Sequence, residues 1–406
     1  MSIADAPVRL PIPALPRGFR VAAVHAGIKR NATREDVTLV VSDLPAVAAG
    51  VYTTNLVFAA PVAYDRSLTP GRNFRGVAIN SGNANACTGG RGLEDAKAMA
   101  AAAARHIGAT ADEVLVLSTG VIGEFLPLEK IARGLERAAA SLGSDDEAAV
   151  RAARGMMTTD TRPKLAGSAF TADGTSYTLF GMAKGAAMIG PRLATMLGVV
   201  LTDAAIEPAD AERLLREAAE TSFNCVSVDG HMSTNDTVLL LANGAAGGGT
   251  LHGAGLAAFG RALSAACETL AREMADDGEG ATHVMRIEVT GCASRDEARR
   301  VARTIADSPL VKTAVHGADP NWGRLAMAVG RSGAKVDPAR LTIRIGGIMV
   351  FVKGVNADAD LAALEAHMKS KEVEFEIDLG LGKGAAQWLG CDLSREYIAI
   401  NADYMT

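Results

Sequence analysis

Near the midpoint of the chain, a threonine hydroxyl, Thr195, follows a small residue, Ala194, inside an apolar segment. A threonine hydroxyl is a weak nucleophile unless a base removes its proton. One solution makes the threonine the first residue of a chain, so that its own α-amine serves as the base. The Ala194–Thr195 bond is therefore a candidate site of self-cleavage. The alternative is a packed structural threonine, which is the commoner role of this residue in a Gly/Ala/Met-rich run.

Several polar clusters follow predicted strands, where binding and catalytic residues tend to lie. Thr119 and Gly120 come directly after the apolar run Val114–Ser118 and could donate a hydroxyl and a backbone amide to an oxyanion. An ordinary turn after a strand is the alternative. Thr158–Thr161 could bind a polar substrate or could cap a helix. Asp229–Asp236 lacks the spacing of a calcium loop, which favours a self-bonded turn.

Three further features could take part in binding. Lys184 lies eleven positions before Thr195 and could pair with a substrate carboxylate, or it could be a solvated surface residue. The turn Asp319–Arg324 contains an Asn-Trp-Gly sequence that could anchor a loop or contact a ligand. The C-terminal segment Asn401–Thr406 follows a predicted strand, Glu396–Asn401, so we expect this end of the chain to be held in place.

Composition excludes several classes of function. The 406 residues carry a formal net charge of −5 and 4% aromatic residues, which argues against a nucleic-acid-binding surface. The five cysteines form no CxxC pair and the seven histidines do not cluster, so we expect no metal. No apolar run is long enough to span a bilayer, and residues 1–16 lack the apolar core of a signal peptide. These features predict a cytoplasmic protein without membrane or nucleic-acid partners.

Helical and strand patterns alternate along the chain, which predicts an α/β protein of layered sheets covered by helices, without a clear linker. The capping-box spacing of Ser144–Glu147 predicts the start of a helix that reaches about Met156. Short apolar, β-branched runs predict buried strands. The predicted strands are Val37–Val41, Gly76–Asn80, Val114–Ser118, Ser168–Ala172, Ser176–Met182, Thr237–Leu241 and Val284–Thr290. The predicted helices are Leu93–Ile107, Leu128–Leu142, Pro208–Ser222 and Leu256–Met274.

Taken together, these clusters resemble the ornithine acetyltransferase family, also called the glutamate N-acetyltransferase or ArgJ family. The resemblance runs from about Arg17 to Thr406, and the segments match in order. They are Ala26–Lys29, Ala49–Asn55, Asn80–Gly89, Ser118–Gly123, Thr158–Thr161, Lys184–Gly185, Ala194–Leu197, Ser233–Thr237, Asp319–Arg324 and Asn401–Thr406.

The resemblance implies a fold similar to that of the β-peptidyl aminopeptidases, a layered αββα-type sandwich. It implies self-cleavage between Ala194 and Thr195 into an α chain, residues 1–194, and a β chain, residues 195–406, which form one catalytic unit. The family assembles as a heterotetramer of two α and two β chains and needs no cofactor or metal.

The resemblance also implies the activity, in which acetyl moves from N-acetylornithine to glutamate through a ping-pong acetyl-enzyme in arginine biosynthesis. Acetyl-CoA is a further donor in some members. Thr195 is the implied nucleophile, and Thr119 and Gly120 form the oxyanion hole. The implied substrate-binding residues are Thr158, Lys184, Thr195, Glu279, Asn401 and Thr406.

Three short segments depart from the family pattern, namely Ala186–Ala187, Pro191–Ala194 and His231–Met232. They concern substrate preference and processing rate more than reaction type. Two other functions remain open. One is an amidohydrolase or aminopeptidase with the same N-terminal threonine and water as acceptor. The other is an unprocessed protein that only binds amino acids.

Overall fold

A computed structural model of the chain describes residues 11–29, 34–190 and 196–403. Within this part of the chain two β-sheets form, one of eight strands and one of seven, and helices pack on both. The predicted α/β class and two-sheet layered architecture are confirmed.

The first sheet has the strand order β4-β3-β2-β9-β7-β6-β5, and β1 pairs with β2. Two adjacent central strands, β7 and β9, run parallel and are buried along their whole length. Strands covered on both faces read as continuous apolar runs rather than alternating ones. The bounds are β1 Phe19–Val24, β2 Val37–Tyr52, β3 Gly71–Asn83, β4 Val114–Val121, β5 Lys164–Ala172, β6 Thr175–Lys184, β7 Leu197–Thr202 and β9 Thr237–Ala242.

In the described ranges, six helices cover this sheet. The helices α1, α2 and α3 pack against its β2-β3-β4 end, α4 contacts β1, β2, β3, β5 and β6, and α6 packs against β5 and β6. Their bounds are α1 Ala60–Leu68, α2 Gly89–Ile107, α3 Leu128–Ala140, α4 Asp146–Met156, α5 Pro208–Thr221 and α6 Gly253–Asp276.

The second sheet has the order β13-β12-β11-β14-β10-β15-β8. Alternating burial along β14 places Val373, Phe375 and Ile377 in its core. The strands are β8 Val226–Ser227, β10 Val284–Cys292, β11 Thr342–Ile345, β12 Ile348–Val352, β13 Val355–Asn356, β14 Glu372–Asp378 and β15 Gly384–Cys391. The helices are α7 Arg295–Ala306, α8 Pro309–His316, α9 Trp322–Gly330, α10 Leu361–Met368 and α11 Arg395–Asp403.

Two local predictions were wrong. The segment predicted as the strand Glu396–Asn401 lies within the helix α11. The N-cap of α4 is Asp145, whose side chain accepts from the amide of Ala148, and not Ser144. The Asp319–Arg324 turn is the start of α9, with Asn321 as its N-cap and the half-buried Trp322 stacked on Phe351 at 5.2 Å between ring centroids.

Candidate active site

Three strand ends of the first sheet bring the candidate residues together. The strand β4 carries Thr119 and Gly120 near its C-terminal end, and β6 ends at Lys184. Lys184 pairs with Leu197, the first residue of β7, so it lies across from the chain that follows Thr195. The ammonium of Lys184 donates to the hydroxyl of Thr119 at 3.3 Å. Ala194, Thr195 and Thr406 lie outside the described residues.

Gly120 allows a close approach of two backbones. It pairs with Gly82 of β3 and has a φ of 131°, in the region that favours glycine. A Cβ at this position would lie 2.3 Å from the carbonyl carbon of Gly82. The neighbouring Ser118 is fixed by two amide side chains, since its hydroxyl donates to Asn80 at 2.6 Å and its carbonyl accepts from Asn235 at 2.8 Å. The strand end that carries Thr119 and Gly120 is therefore rigid, as an oxyanion hole requires.

Lys184 is buried, with 3% of its surface exposed, so it is not a solvated surface residue. Burial lowers the pKa of its ammonium, and the carboxylate of Asp160 opposes this effect. Asp160 accepts from the backbone amide of Gly185 at 2.6 Å and from that of Thr158 at 3.0 Å. One buried carboxylate thus holds Thr158 beside the end of the Lys184 strand. This explains why a polar Thr158–Thr161 cluster is found at this point of the sequence.

Asp160 is part of a network of buried charged side chains. Lys164, fully enclosed, contacts Asp160 at 2.7 Å and Asp277 at 2.5 Å. Burial of Asp160 would raise its pKa, but the charges of Lys164 and Lys184 outweigh that effect and hold the pKa well below its usual range. Asp277 directly follows α6, two residues before Glu279, so the same network links the Lys184 strand to the Glu279 segment.

Glu279 and Asn401 form a hydrogen-bonded pair. The amide of Asn401 donates to the carboxylate of Glu279 at 2.8 Å. The backbone amide of Glu279 donates to the carbonyl of Ala186 at 2.8 Å, close to Lys184 in the chain. Glu279 is buried, whereas Asn401 on α11 is exposed. The structure therefore brings Thr119, Gly120, Thr158, Lys184, Glu279 and Asn401 into one region, and their roles stay predictions.

Asp236 is a buried residue that sequence reasoning left without a role. Its carboxylate accepts from the amide of Met196 at 3.2 Å and from the hydroxyl and amide of Ser233. Burial raises the pKa of this carboxyl to about 7. The matched segment Ser233–Thr237 is the sequence signal that could have singled it out. The Asp229–Asp236 loop is self-bonded, as expected, and it also holds the chain next to Thr195.

Among the described residues, no cluster of three or more His, Cys, Asp or Glu side chains has the arrangement of a metal site. Within the same ranges, none of the helices combines the length and apolarity needed to cross a membrane.

Comparison with known proteins identifies the family. The ArgJ family model matches residues 20–406. The chain belongs to the ArgJ family. It is 48% identical over 393 residues to the arginine biosynthesis bifunctional protein ArgJ of Geobacter sulfurreducens, covering 96% of this chain and 99% of that protein. The protein of the same name from Symbiobacterium thermophilum is 46% identical, covering 96% and 98%. The prediction that this chain is an arginine-biosynthesis enzyme of this family is confirmed.

Two solved ArgJ-family structures each match about half of this chain. An ArgJ protein from Bacillus halodurans is 40% identical with a TM-score of 0.48, covering 50% of this chain and 96% of that one. The ornithine acetyltransferase from Mycobacterium tuberculosis, solved in complex with ornithine, is 36% identical with a TM-score of 0.40, covering 45% and 96%.

Proposed function

We propose that this enzyme transfers acetyl from N2-acetyl-L-ornithine to L-glutamate, and that it also acetylates glutamate from acetyl-CoA. The ArgJ relatives carry the name bifunctional, which supports two activities on this chain. The opposite charges of Lys184 and Glu279 are the observation that supports this substrate. N-acetylornithine presents a carboxylate and an ammonium, which suit a lysine and a glutamate respectively.

The proposed chemistry begins with the hydroxyl of Thr195. The α-amine of Thr195 is free after processing and takes the hydroxyl proton. A chain-terminal amine has a reference pKa of about 7.7–8.0, which suits a base near neutral pH. The oxygen attacks the acetyl carbonyl, and the developing oxyanion accepts hydrogen bonds from the Thr119 hydroxyl and the Gly120 amide. Ornithine leaves, and the amine of glutamate then attacks the acetyl-enzyme. Lys184 and Thr158 orient the α-carboxylate side of the substrate, while Glu279, Asn401 and Thr406 orient its amine side.

We also propose that the chain cleaves itself between Ala194 and Thr195, that the α and β chains assemble as a heterotetramer, and that the enzyme is cytoplasmic and needs no cofactor or metal. The five cysteines are free thiols in the structure, which suits a reducing compartment.

Two measurements on purified protein test the proposal. Intact mass spectrometry should show two chains that separate at the Ala194–Thr195 bond, and Thr195→Ala should stay uncut and inactive. Thr195→Ser, which keeps a hydroxyl, is the matched control and should still be cut. Turnover of substrate by an uncut wild-type chain would refute the proposal that Thr195 becomes the nucleophile through cleavage.

The acceptor decides between transferase and hydrolase. N-acetylornithine with glutamate should yield N-acetylglutamate and ornithine, and acetyl-CoA with glutamate should yield N-acetylglutamate. Release of free acetate at the same rate with and without glutamate would instead support the amidohydrolase alternative.

A further inference from the structure

The proposed self-cleavage leaves one chemical step without a base, and the inference below rests on that proposed function. In the mature β chain, the free α-amine of Thr195 can take a proton. Before cleavage the same nitrogen is part of the Ala194–Thr195 peptide bond. A peptide nitrogen gives its lone pair to the carbonyl and is not a base near neutral pH. A different group must therefore accept the hydroxyl proton in the precursor.

Asp236 lies at the right place in the chain. It directly precedes β9, whose first residue, Thr237, is paired with Leu197 of β7. Its carboxylate accepts from the Met196 amide at 3.2 Å, and the Thr237 amide donates to the Met196 carbonyl at 3.0 Å. Both backbone groups of Met196 are thus held by two consecutive residues. Because Met196 follows Thr195 directly in the chain, the Asp236 carboxylate binds the backbone of the residue next to the one whose hydroxyl must be activated.

The surroundings of Asp236 suit proton transfer. The carboxyl is fully buried, and burial raises its pKa to about 7, while the Ser233 hydrogen bonds and the charge of Lys184 act in the opposite direction. A general base works best when its pKa is near the working pH. Lys184, at the end of β6, is the charged side chain with the largest effect on Asp236. Lys184 itself is less suited to be the base, because its ammonium is engaged with Thr119 and faces Asp160.

We propose that Asp236 is the general base of self-cleavage. Its carboxylate takes the proton of the Thr195 hydroxyl as that oxygen forms a bond to the carbonyl carbon of Ala194. The proton then passes to the nitrogen of Thr195 as the carbon–nitrogen bond breaks, which leaves an ester between Ala194 and the Thr195 oxygen. One water molecule hydrolyses the ester, which frees the carboxyl group of Ala194, the hydroxyl of Thr195 and its new α-amine.

The test is Asp236→Asn in the full-length chain. Asparagine keeps an oxygen that can accept from the Met196 amide, but it cannot take a proton at neutral pH. Pulse-labelled precursor is followed by gel and mass spectrometry between pH 5.5 and 9. In the wild type the cleavage rate should rise with pH through about 7 and then level off, because the ionised carboxylate is the active form. In Asp236→Asn the rate should fall by about 100-fold or more, and the rise near pH 7 should disappear.

A second variant addresses the possibility that Asp236→Asn folds poorly. Ser233→Ala removes a hydrogen bond that lowers the pKa of Asp236, so the midpoint of the cleavage profile should move to higher pH by about half a unit or more. A purely structural role of the loop would slow cleavage without moving the midpoint.

Asp65→Asn is the matched control, because Asp65 is a fully buried carboxyl that accepts one backbone hydrogen bond, from Val116 at 2.9 Å. It should be cut at the wild-type rate. Asp236→Asn cut within threefold of the wild type, or cut slowly with the rise near pH 7 intact, would overturn the assignment of the base. An uncut wild-type chain would instead refute the proposed self-cleavage itself.

Discussion

The buried ion network beneath the site offers a sharp test, because Lys164→Met would remove its central positive charge. Lys164 lies at 2.7 Å from Asp160 and 2.5 Å from Asp277, and all three side chains are 0–1% exposed. Methionine has a similar length and fits an apolar space, so the variant removes the charge more than the volume. Two carboxylates would then be buried without this cation, and Asp277 would keep its ion pair with Arg162 at 3.3 Å.

The expected cost follows from burial. Removing one partner of a buried ion pair destabilises a protein by about 3–5 kcal/mol, because the remaining charge stays desolvated. Asp160 keeps its hydrogen bonds from Gly185 and Thr158, which moderates the loss without replacing the cation. Equilibrium unfolding in urea, followed by circular dichroism, measures the change. Lys97→Met is the matched control, since Lys97 pairs with Glu94 at 2.9 Å with both side chains more than half exposed, and such surface pairs contribute about 0–1 kcal/mol.

The pH dependence separates a charge effect from lost packing. In the wild type the pKa of Asp160 lies below its unfolded value, so its contribution to stability is present above the unfolded pKa and is lost as the pH falls. Without Lys164 that contribution is smaller, because the charge of Lys184 and the hydrogen bond from the Gly185 amide still oppose burial. The stability difference between wild type and variant should therefore be largest at pH 7, should begin to shrink at about pH 4, and should shrink further towards pH 2. A loss below about 1 kcal/mol, or one that stays constant across this range, would refute the reasoning.

Further variants test four individual side chains. Thr119→Val should lower kcat by about 10²–10³ through loss of an oxyanion donor, while Thr119→Ser should keep most of the activity; equal rates for the two would contradict that role. Lys184→Ala should raise the KM for N-acetylornithine or abolish activity, and unchanged kinetics would count against carboxylate pairing. Asn401→Ala frees the carboxylate of Glu279 and should raise the same KM more than it lowers kcat, which steady-state kinetics would show. Burial raises the pKa of Asp65 well above its usual value, so the free energy of unfolding of the wild type should fall as the pH rises above about 4. Asp65→Asn should make this fall with pH less steep in urea unfolding. Equal slopes for wild type and variant would contradict the raised pKa of Asp65.

The strands were predictable because burial leaves a local trace in the sequence. The apolar run Thr237–Leu241 predicted the fully buried strand Thr237–Ala242, and the apolar run Val114–Ser118 marked the strand that carries Thr119. The equally buried strand Leu197–Thr202 was not predicted. The Asp160–Lys164–Asp277 network left no comparable trace. Lys164 and Asp277 are 113 positions apart, so their contact depends on how β5 packs against α6. Asp160 was noticed as one member of a polar cluster, but its hold on the Lys184 strand required the fold.

The wrong strand at Glu396–Asn401 shows how a short pattern can mislead. Apolar residues at Tyr397, Ile398 and Ile400 read as strand-like, since six residues do not distinguish the two periodicities well. The preceding Ser394 decides the outcome, because its hydroxyl accepts from the amide of Tyr397 at 3.2 Å and so satisfies a free amide at the start of α11. A helix at this point turns Asn401 towards Glu279.

The position of α11 depends on a carboxylate outside the helix. Asp392 accepts from the backbone amides of Thr282 at 2.7 Å and His283 at 2.9 Å, and its other oxygen lies 2.8 Å from His316. Burial would raise the pKa of Asp392, but the hydrogen bond from the Thr282 hydroxyl, together with those from the two backbone amides and His316, outweighs it and holds the pKa below its usual value. The segment that follows Glu279 leads into β10, and the chain that follows Asp392 leads into α11, which carries Asn401. The buried carboxylate of Asp392 therefore ties the chain that follows Glu279 to the chain that leads into α11.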